Sequence, residues 1–195
     1  MADGSINSEQ LITPFFALRR YCGQLSEDSS GLHLFALLCE RLHQHDLAIE
    51  LLGQAIAILE RAYEETEDST TEKRYAIANA NLGRVRLAIG DYQQAKVAYE
   101  VVLGLLGSPV EEESIEATNR ALLLAQAHFG IGLASFKLGE LEDALTSFEA
   151  SADAAPIEMQ DVKGHITILT AQTLWAIGGE DARDAARDQL LEWCV

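Results

Sequence analysis

The sequence predicts an all-α, right-handed solenoid of antiparallel helix pairs, and three observations predict it. Two segments, NLGRVRLAIGDYQQAKVAYE (Asn81 to Glu100) and GIGLASFKLGELEDALTSFE (Gly130 to Glu149), superimpose at every structurally telling offset. They share a small residue at Gly83 and Gly132, a turn glycine at Gly90 and Gly139, an alanine at Ala95 and Ala144, and an aromatic at Tyr99 and Phe148. Weaker copies of the same unit lie on either side. Finally, 195 residues with 48% apolar content and only three prolines suit one sizeable folded helical domain.

Taken in order, Thr13 to Leu25 (TPFFALRRYCGQL) reads as a helix with Thr13 as its cap and Pro14 in its first turn. It is either the second helix of a repeat begun upstream or an N-terminal cap, so residues 1–28 are expected to be a tail with a partial or capping helix. The first full pair runs from Leu32 to Glu60, with Ala36 at the small position, His43 in place of the turn glycine, and Ala48, Leu52 and Ala55 on the second helix. In EETEDSTTEK, Ser69 and Glu72 form a capping box that starts the next helix. SPVE at Ser108 to Glu111 combines an N-cap, a first-turn proline and a third-position acid, and starts another. A fourth pair spans Val162 to Trp193, with Ala171 at the small position, Gly178 and Gly179 in the turn, and one residue inserted before Ala185. The expected repeats are therefore 29–68, 70–106, 109–155 and 160–195. The apolar helix face still open at Trp193 to Val195 predicts a piece of something longer.

These offsets are those of the tetratricopeptide repeat (TPR), whose minimal unit is about 34 residues. Residues without bulk at Gly83, Gly132, Ala95 and Ala144 let the two helices of a pair approach closely, and Tyr99 and Phe148 fill the gap toward the next repeat. Gly90 and Gly139 suit the left-handed position after a helix end, and Asp91 and Glu140 favour the start of the helix that follows. The small positions Ala36, Gly83, Gly132 and Ala171 stand 47, 49 and 39 residues apart, so the excess over the minimal unit goes into helices of about 20 and about 30 residues. A helical hairpin that cannot bury its own apolar face stacks on its neighbours, and the extended surface that results serves binding.

Composition narrows the function. With 14 basic and 31 acidic residues the net charge is −17, which repels phosphate backbones and makes direct nucleic-acid binding an unsuitable role. There is no run of eighteen apolar residues and no basic-then-apolar N-terminus, so no membrane role is expected. Cys22, Cys39 and Cys194 are odd in number and lack a CxxC spacing, which argues for a reducing compartment over disulfide scaffolding or a zinc site.

No residue set supports catalysis, and no cofactor or metal is expected. His43 and His45 read as exposed turn histidines, and His128 and His165 as hydrogen-bonded packing groups. Glu111, Glu112 and Glu113 splay around a helix start, where the helix dipole accounts for them. No phosphate-binding glycine loop, nucleophile elbow or Cys–His signature occurs. A TPR clamp for an acidic peptide carboxylate needs Lys, Arg and Asn on the first helices. The inner-face positions are His33, Leu37, Ile77, Asn81, Arg84, Gln126 and Gly130, of which Asn81 and Arg84 alone fit, so such a clamp is disfavoured. The same face carries Leu34, Phe129, Leu133, Phe136 and Trp175. These are either solenoid core or, with Asn81 and Arg84, a partner-binding groove for an apolar segment.

RYAIANANLGRVRLAIGDYQQAKVAYE, FGIGLASFKLGELEDALTSFE and VKGHITILTAQTLWAIG together resemble consecutive repeats of the large TPR scaffold subunit of the superkiller complex, in its fungal form. GHITILTAQTLWAIG, Gly164 to Gly178, discriminates best because it lies outside the general repeat consensus. The resemblance spans Leu32 to Leu191, a small part of that much longer subunit. It implies a non-enzymatic, cytoplasmic scaffold that joins a helicase and WD-repeat subunits and supports exosome-mediated decay of messenger RNA from the 3′ end. The alternative is a TPR adaptor or co-chaperone of another kind, which binds a basic or apolar peptide.

Overall fold

The computed structural model describes residues 28–107, 115–156 and 160–193. Among them are eight helices: α1 (Ser29–Arg41), α2 (His45–Thr66), α3 (Ser69–Ile89), α4 (Tyr92–Leu106), α5 (Ile115–Leu138), α6 (Leu141–Ala154), α7 (Gln160–Ile177) and α8 (Glu180–Trp193). The expected helix at Thr13 to Leu25, the SPVE start, the Glu111–Glu113 run, Cys22 and Cys194 lie outside the described residues. The chain divides into two compact units, residues 1–85 and 86–195, and the division falls within α3.

In the first unit, α1 buries Leu32, Phe35, Ala36 and Cys39, and α2 buries Ala48, Leu51, Leu52, Ala55 and Leu59. This i, i+3, i+4, i+7 spacing makes one apolar stripe per helix, and the two stripes pack on each other. In the second unit α4 buries Ala95, Ala98, Tyr99, Val102 and Leu106, the same five offsets as α2. On α6, Ala144, Phe148 and Ser151 hold three of those offsets, and the Ser151 hydroxyl is satisfied by donating to the Ala125 carbonyl at 2.8 Å.

Three turns share one hydrogen-bond design. His43, Gly90 and Gly139 sit at φ of 56°, 82° and 83°, the left-handed region. Their N–H groups donate to Glu40, Leu87 and Phe136 carbonyls, and those of the next residues, Gln44, Asp91 and Glu140, donate five residues back to Cys39, Arg86 and Ser135. The carbonyls of these same three residues accept from Ala48, Ala95 and Ala144 and so open the following helices. One residue thus closes one helix with its N–H and starts the next with its carbonyl, which is why the turn is so short. Neither Asp91 nor Glu140 caps through its side chain, and the Glu140 carboxylate pairs instead with Lys96 at 2.8 Å.

The α7–α8 turn departs from this design. Gly178 and Gly179 both have positive φ, and Arg183 N–H donates to the Gly179 carbonyl, so Arg183 takes the place that alanine holds in the other three. The expected match at Ala185 is corrected by this: Ala185 is exposed and Ala186 is the buried residue. The capping box is also corrected by one residue. α3 starts at Ser69, but its cap is Asp68, whose carboxylate accepts from Thr70 and Thr71 N–H at 2.9 and 3.0 Å and from the Thr71 hydroxyl. Those bonds, the Thr71 hydroxyl foremost, hold the Asp68 carboxyl down at about 2.

α5 packs against α4 on one side and α6 on the other. Two glycines two residues apart make both approaches possible, since residues i and i+2 point to opposite sides of a helix. A Cβ on Gly130 would lie 2.2 Å from the Tyr99 ring of α4, and one on Gly132 would lie 2.7 Å from the Phe148 ring of α6. Gly130 therefore faces the preceding helix pair, which corrects its expected place on the inner face. Glu116–Leu138 is long and apolar enough to cross a membrane, with mean hydropathy 1.3 over its most apolar window. Ala125, Ala127, Ile131 and Ala134 on it are buried, while Leu122 and Leu138 are exposed.

Candidate interaction surface

Within the first unit, α1 and α3 place a row of side chains around a cavity of about 350 Å³, lined by Ser29, Ser30, His33, Leu34, Leu37, Leu59, Arg74, Ile77 and Asn81. The row follows from helical spacing. Ser30, His33, Leu34 and Leu37 recur at three and four residues on α1, as do Arg74, Ile77 and Asn81 on α3. The sequence-predicted inner-face residues His33, Leu34, Leu37, Ile77 and Asn81 thus come together.

A polar chain runs along this row. The Arg84 guanidinium pairs with the Glu40 carboxylate and donates to Asn81 Oδ1 at 3.0 Å. That bond assigns the other end of the amide, so Asn81 Nδ2 donates to His33 Nε2 at 2.8 Å, and His33 accepts as a neutral ring. Burial, with the positive charges of Arg74 and Arg84, lowers the His33 pKa from its ordinary 6.5 and keeps it in that form. Arg84 is therefore committed to Glu40 and Asn81 and does not line the cavity.

Arg74, Ser29 and Ser30 are site residues that the sequence reading missed. Arg74 Nη2 donates to the Ser29 and Ser30 hydroxyl oxygens at 2.8 and 2.6 Å. Spacing could have found them, because Arg74 lies three residues before Ile77 and Ser30 three before His33.

In the second unit, Phe129, Leu133 and Phe136 are partly buried against a core of Ala144, Phe148 and Ile166, with the Phe129 and Phe148 rings 6.0 Å apart. These three side chains belong to the packing between α5, α6 and α7. Trp175 on α7 is 62% exposed, and the Arg183 guanidinium stands 5.3 Å from its ring centroid, a cation–π contact. Leu34, at 66%, is the other large apolar side chain of the predicted groove left in the open.

Of the histidines, His43 is exposed at its turn and stacks edge-on to His45, their centroids 5.8 Å apart. His128 is half-buried, and burial lowers its pKa. His165 is exposed, which corrects the expectation that it packs. Among the described residues, no three His, Cys, Asp or Glu side chains gather as metal ligands.

Residues 125–158 match the tetratricopeptide repeat family. The chain is 29% identical over 195 residues to Superkiller protein 3 of Schizosaccharomyces pombe, covering 96% of this chain and 13% of that protein. It is 25% identical over 185 residues to Superkiller protein 3 of Saccharomyces cerevisiae, covering 95% of this chain and 12% of that protein. The resemblance read from GHITILTAQTLWAIG and the repeats upstream agrees with both. Among solved structures, a Podospora anserina kinesin light chain protein with nearly identical TPR-like repeats superimposes with a TM-score of 0.68 at 16% identity, over 95% of this chain and 85% of that one. MamA from Desulfovibrio magneticus RS-1 gives 0.64 at 16% identity, over 95% and 84%. The fold is an all-α solenoid of TPR-type helix pairs, and the repeat with the two superkiller similarities supports a protein-interaction scaffold.

Proposed function

We propose that the chain serves as a non-enzymatic scaffold of the superkiller type, which contacts a helicase and WD-repeat subunits in the cytoplasm and supports exosome-mediated 3′-to-5′ decay of messenger RNA. The observation that carries this reading is the similarity to Superkiller protein 3 along 96% of the chain, well beyond the 34 residues that match the general repeat. Its repeats are proposed at 29–68, 70–106, 109–155 and 160–195, preceded by a tail and capping helix at 1–28. The −17 net charge leaves RNA contact to the partner subunits. Of the predicted groove residues, exposed Leu34 and Trp175 are proposed to touch partners, whereas Phe129, Leu133 and Phe136 act through the stability of the surface.

Size-exclusion chromatography of the purified chain with purified superkiller helicase and WD-repeat subunits tests this. Co-elution with at least one subunit is expected, and Trp175→Ala should weaken it about tenfold or more with helicity unchanged. Separate elution of a folded chain from both subunits would sink the proposal.

A further inference from the structure

In the first unit a hydrogen-bonded chain with a fixed direction joins α1 to α3. It runs from the Glu40 carboxylate through Arg84 and the Asn81 amide to His33. Arg84 can only donate, so it takes Asn81 Oδ1 at 3.0 Å and leaves Nδ2 to donate to His33 Nε2 at 2.8 Å. The chain therefore closes only if His33 accepts, which the neutral ring alone can do. Arg74 and Arg84 act on His33 with their positive charges, both from α3. Glu40 on α1 pairs with Arg84, Arg74 bonds the Ser29 and Ser30 hydroxyls, and α2 presents the apolar Leu59 to the cavity beside the ring.

We infer that His33 and Asn81 form a proton-operated latch between α1 and α3, in which one proton on His33 Nε2 breaks the chain and loosens α1. The protonated ring presents an N–H to an amide that already presents one. If the amide keeps its place, the bond between the two helices is lost. If it turns over, Oδ1 accepts from His33, and Nδ2 then faces the Arg84 guanidinium, donor against donor. Either way a third positive charge joins Arg74 and Arg84 at the α1–α3 boundary. Burial and those two charges hold His33 below its ordinary 6.5, so the latch is shut above that pH and opens as pH falls toward the folded value. Asn81→Asp inverts the device, because two acceptor oxygens between Arg84 and His33 favour the protonated ring. Leu34 follows His33 on α1, so the partner contact proposed for it weakens as the latch opens, while the latch itself stands without that contact.

NMR titration and hydrogen exchange on the whole chain test this. The His33 ring protons should titrate with a midpoint below 6.5, and the Asn81 side-chain amide should shift with that same midpoint. Protection of the α1 amides, corrected for the intrinsic exchange rate, should fall about tenfold from about pH 7.5 to about pH 5.5, the scale of one lost hydrogen bond to a charged group. His33→Gln keeps an acceptor for Asn81 without a titrating proton, so its α1 protection should stay level. In Asn81→Asp the His33 midpoint should rise above 6.5, and α1 should be better protected at the lower pH, the reverse of the parent chain. Circular dichroism verifies that both variants fold, and His33→Gln decides alone if Asn81→Asp does not. A parent midpoint at or above 6.5, an Asn81 amide that does not follow it, or an equal loss of protection in His33→Gln overturns the latch. So does a folded Asn81→Asp whose His33 midpoint stays at the parent value or drops.

Discussion

Gly53 on α2 and Gly130 on α5 are both interior helical glycines, yet their surroundings predict opposite responses to a methyl group. A Cβ on Gly53 meets nothing within 4 Å, so Gly53→Ala gains only helix propensity and should stabilise by about 0.5–1 kcal/mol. At Gly130 the same atom would lie 2.2 Å from the buried Tyr99 ring, and the overpacking cost of about 1–3 kcal/mol exceeds the propensity gain. Urea denaturation of the two variants checks the sign reversal. His33 supplies a second test at this scale. Its folded pKa lies below the ordinary 6.5, so below that pH the unfolded chain binds the proton more readily. Its contribution is fully present above pH 6.5 and is lost as pH falls toward the folded value. A protonated Nε2 would also face the Asn81 Nδ2 donor. Stability measured at about pH 7.5 and about pH 5.5 should drop less in His33→Gln than in the parent chain.

At the scale of elements, the turns decide how each pair closes. His43 carries a side chain at φ 56°, where Gly90 and Gly139 carry none, and makes the same backbone bonds at the strain of a left-handed L-residue. His43→Gly should raise stability by about 1 kcal/mol, less the loss of its ring contact with His45, and thermal melting reads it. Gly90→Ala is the mirror test and should lower the melting temperature. Much of this scale was legible in the sequence. A left-handed turn residue five places before a small one is a local requirement, and it survives even where histidine replaces glycine. The fourth pair departs from this because its second glycine moves the helix start, so the offset that predicts a buried alanine falls on exposed Ala185. At Asp68, two adjacent residues could each cap a helix, and Asp68 wins because its carboxylate takes two backbone N–H groups and a hydroxyl at once.

Within the second unit, contacts run between consecutive helices, from α4 to α5 to α6 to α7 to α8. In such an array stability is the sum of repeats and nearest-neighbour interfaces. Phe148 is fully buried among Ala144 and Ile166, so Phe148→Ala should cost about 3–5 kcal/mol. Hydrogen exchange should then speed up across α5, α6 and α7 while α1 and α2 amides keep their protection. Uniform acceleration along the whole chain would show a single cooperative unit in place of neighbour-limited coupling.

The sequence by itself determined the helix pairs, the turn residues, the buried alanines before the last helix and the superkiller resemblance, because each depends on residues a few positions apart or on a run read as a string. Tertiary structure decided which apolar side chains remain outside. Phe129, Leu133 and Phe136 share helical spacing with a groove, yet the helices that follow cover them, while Leu34 and Trp175 stay open. It also decided that Arg84 is matched by Glu40 and that Arg74 meets Ser29 and Ser30, partners 44 and 45 residues away. Periodicity specifies the face a residue occupies. Only packing between distant segments specifies what else stands on that face and whether water still reaches it.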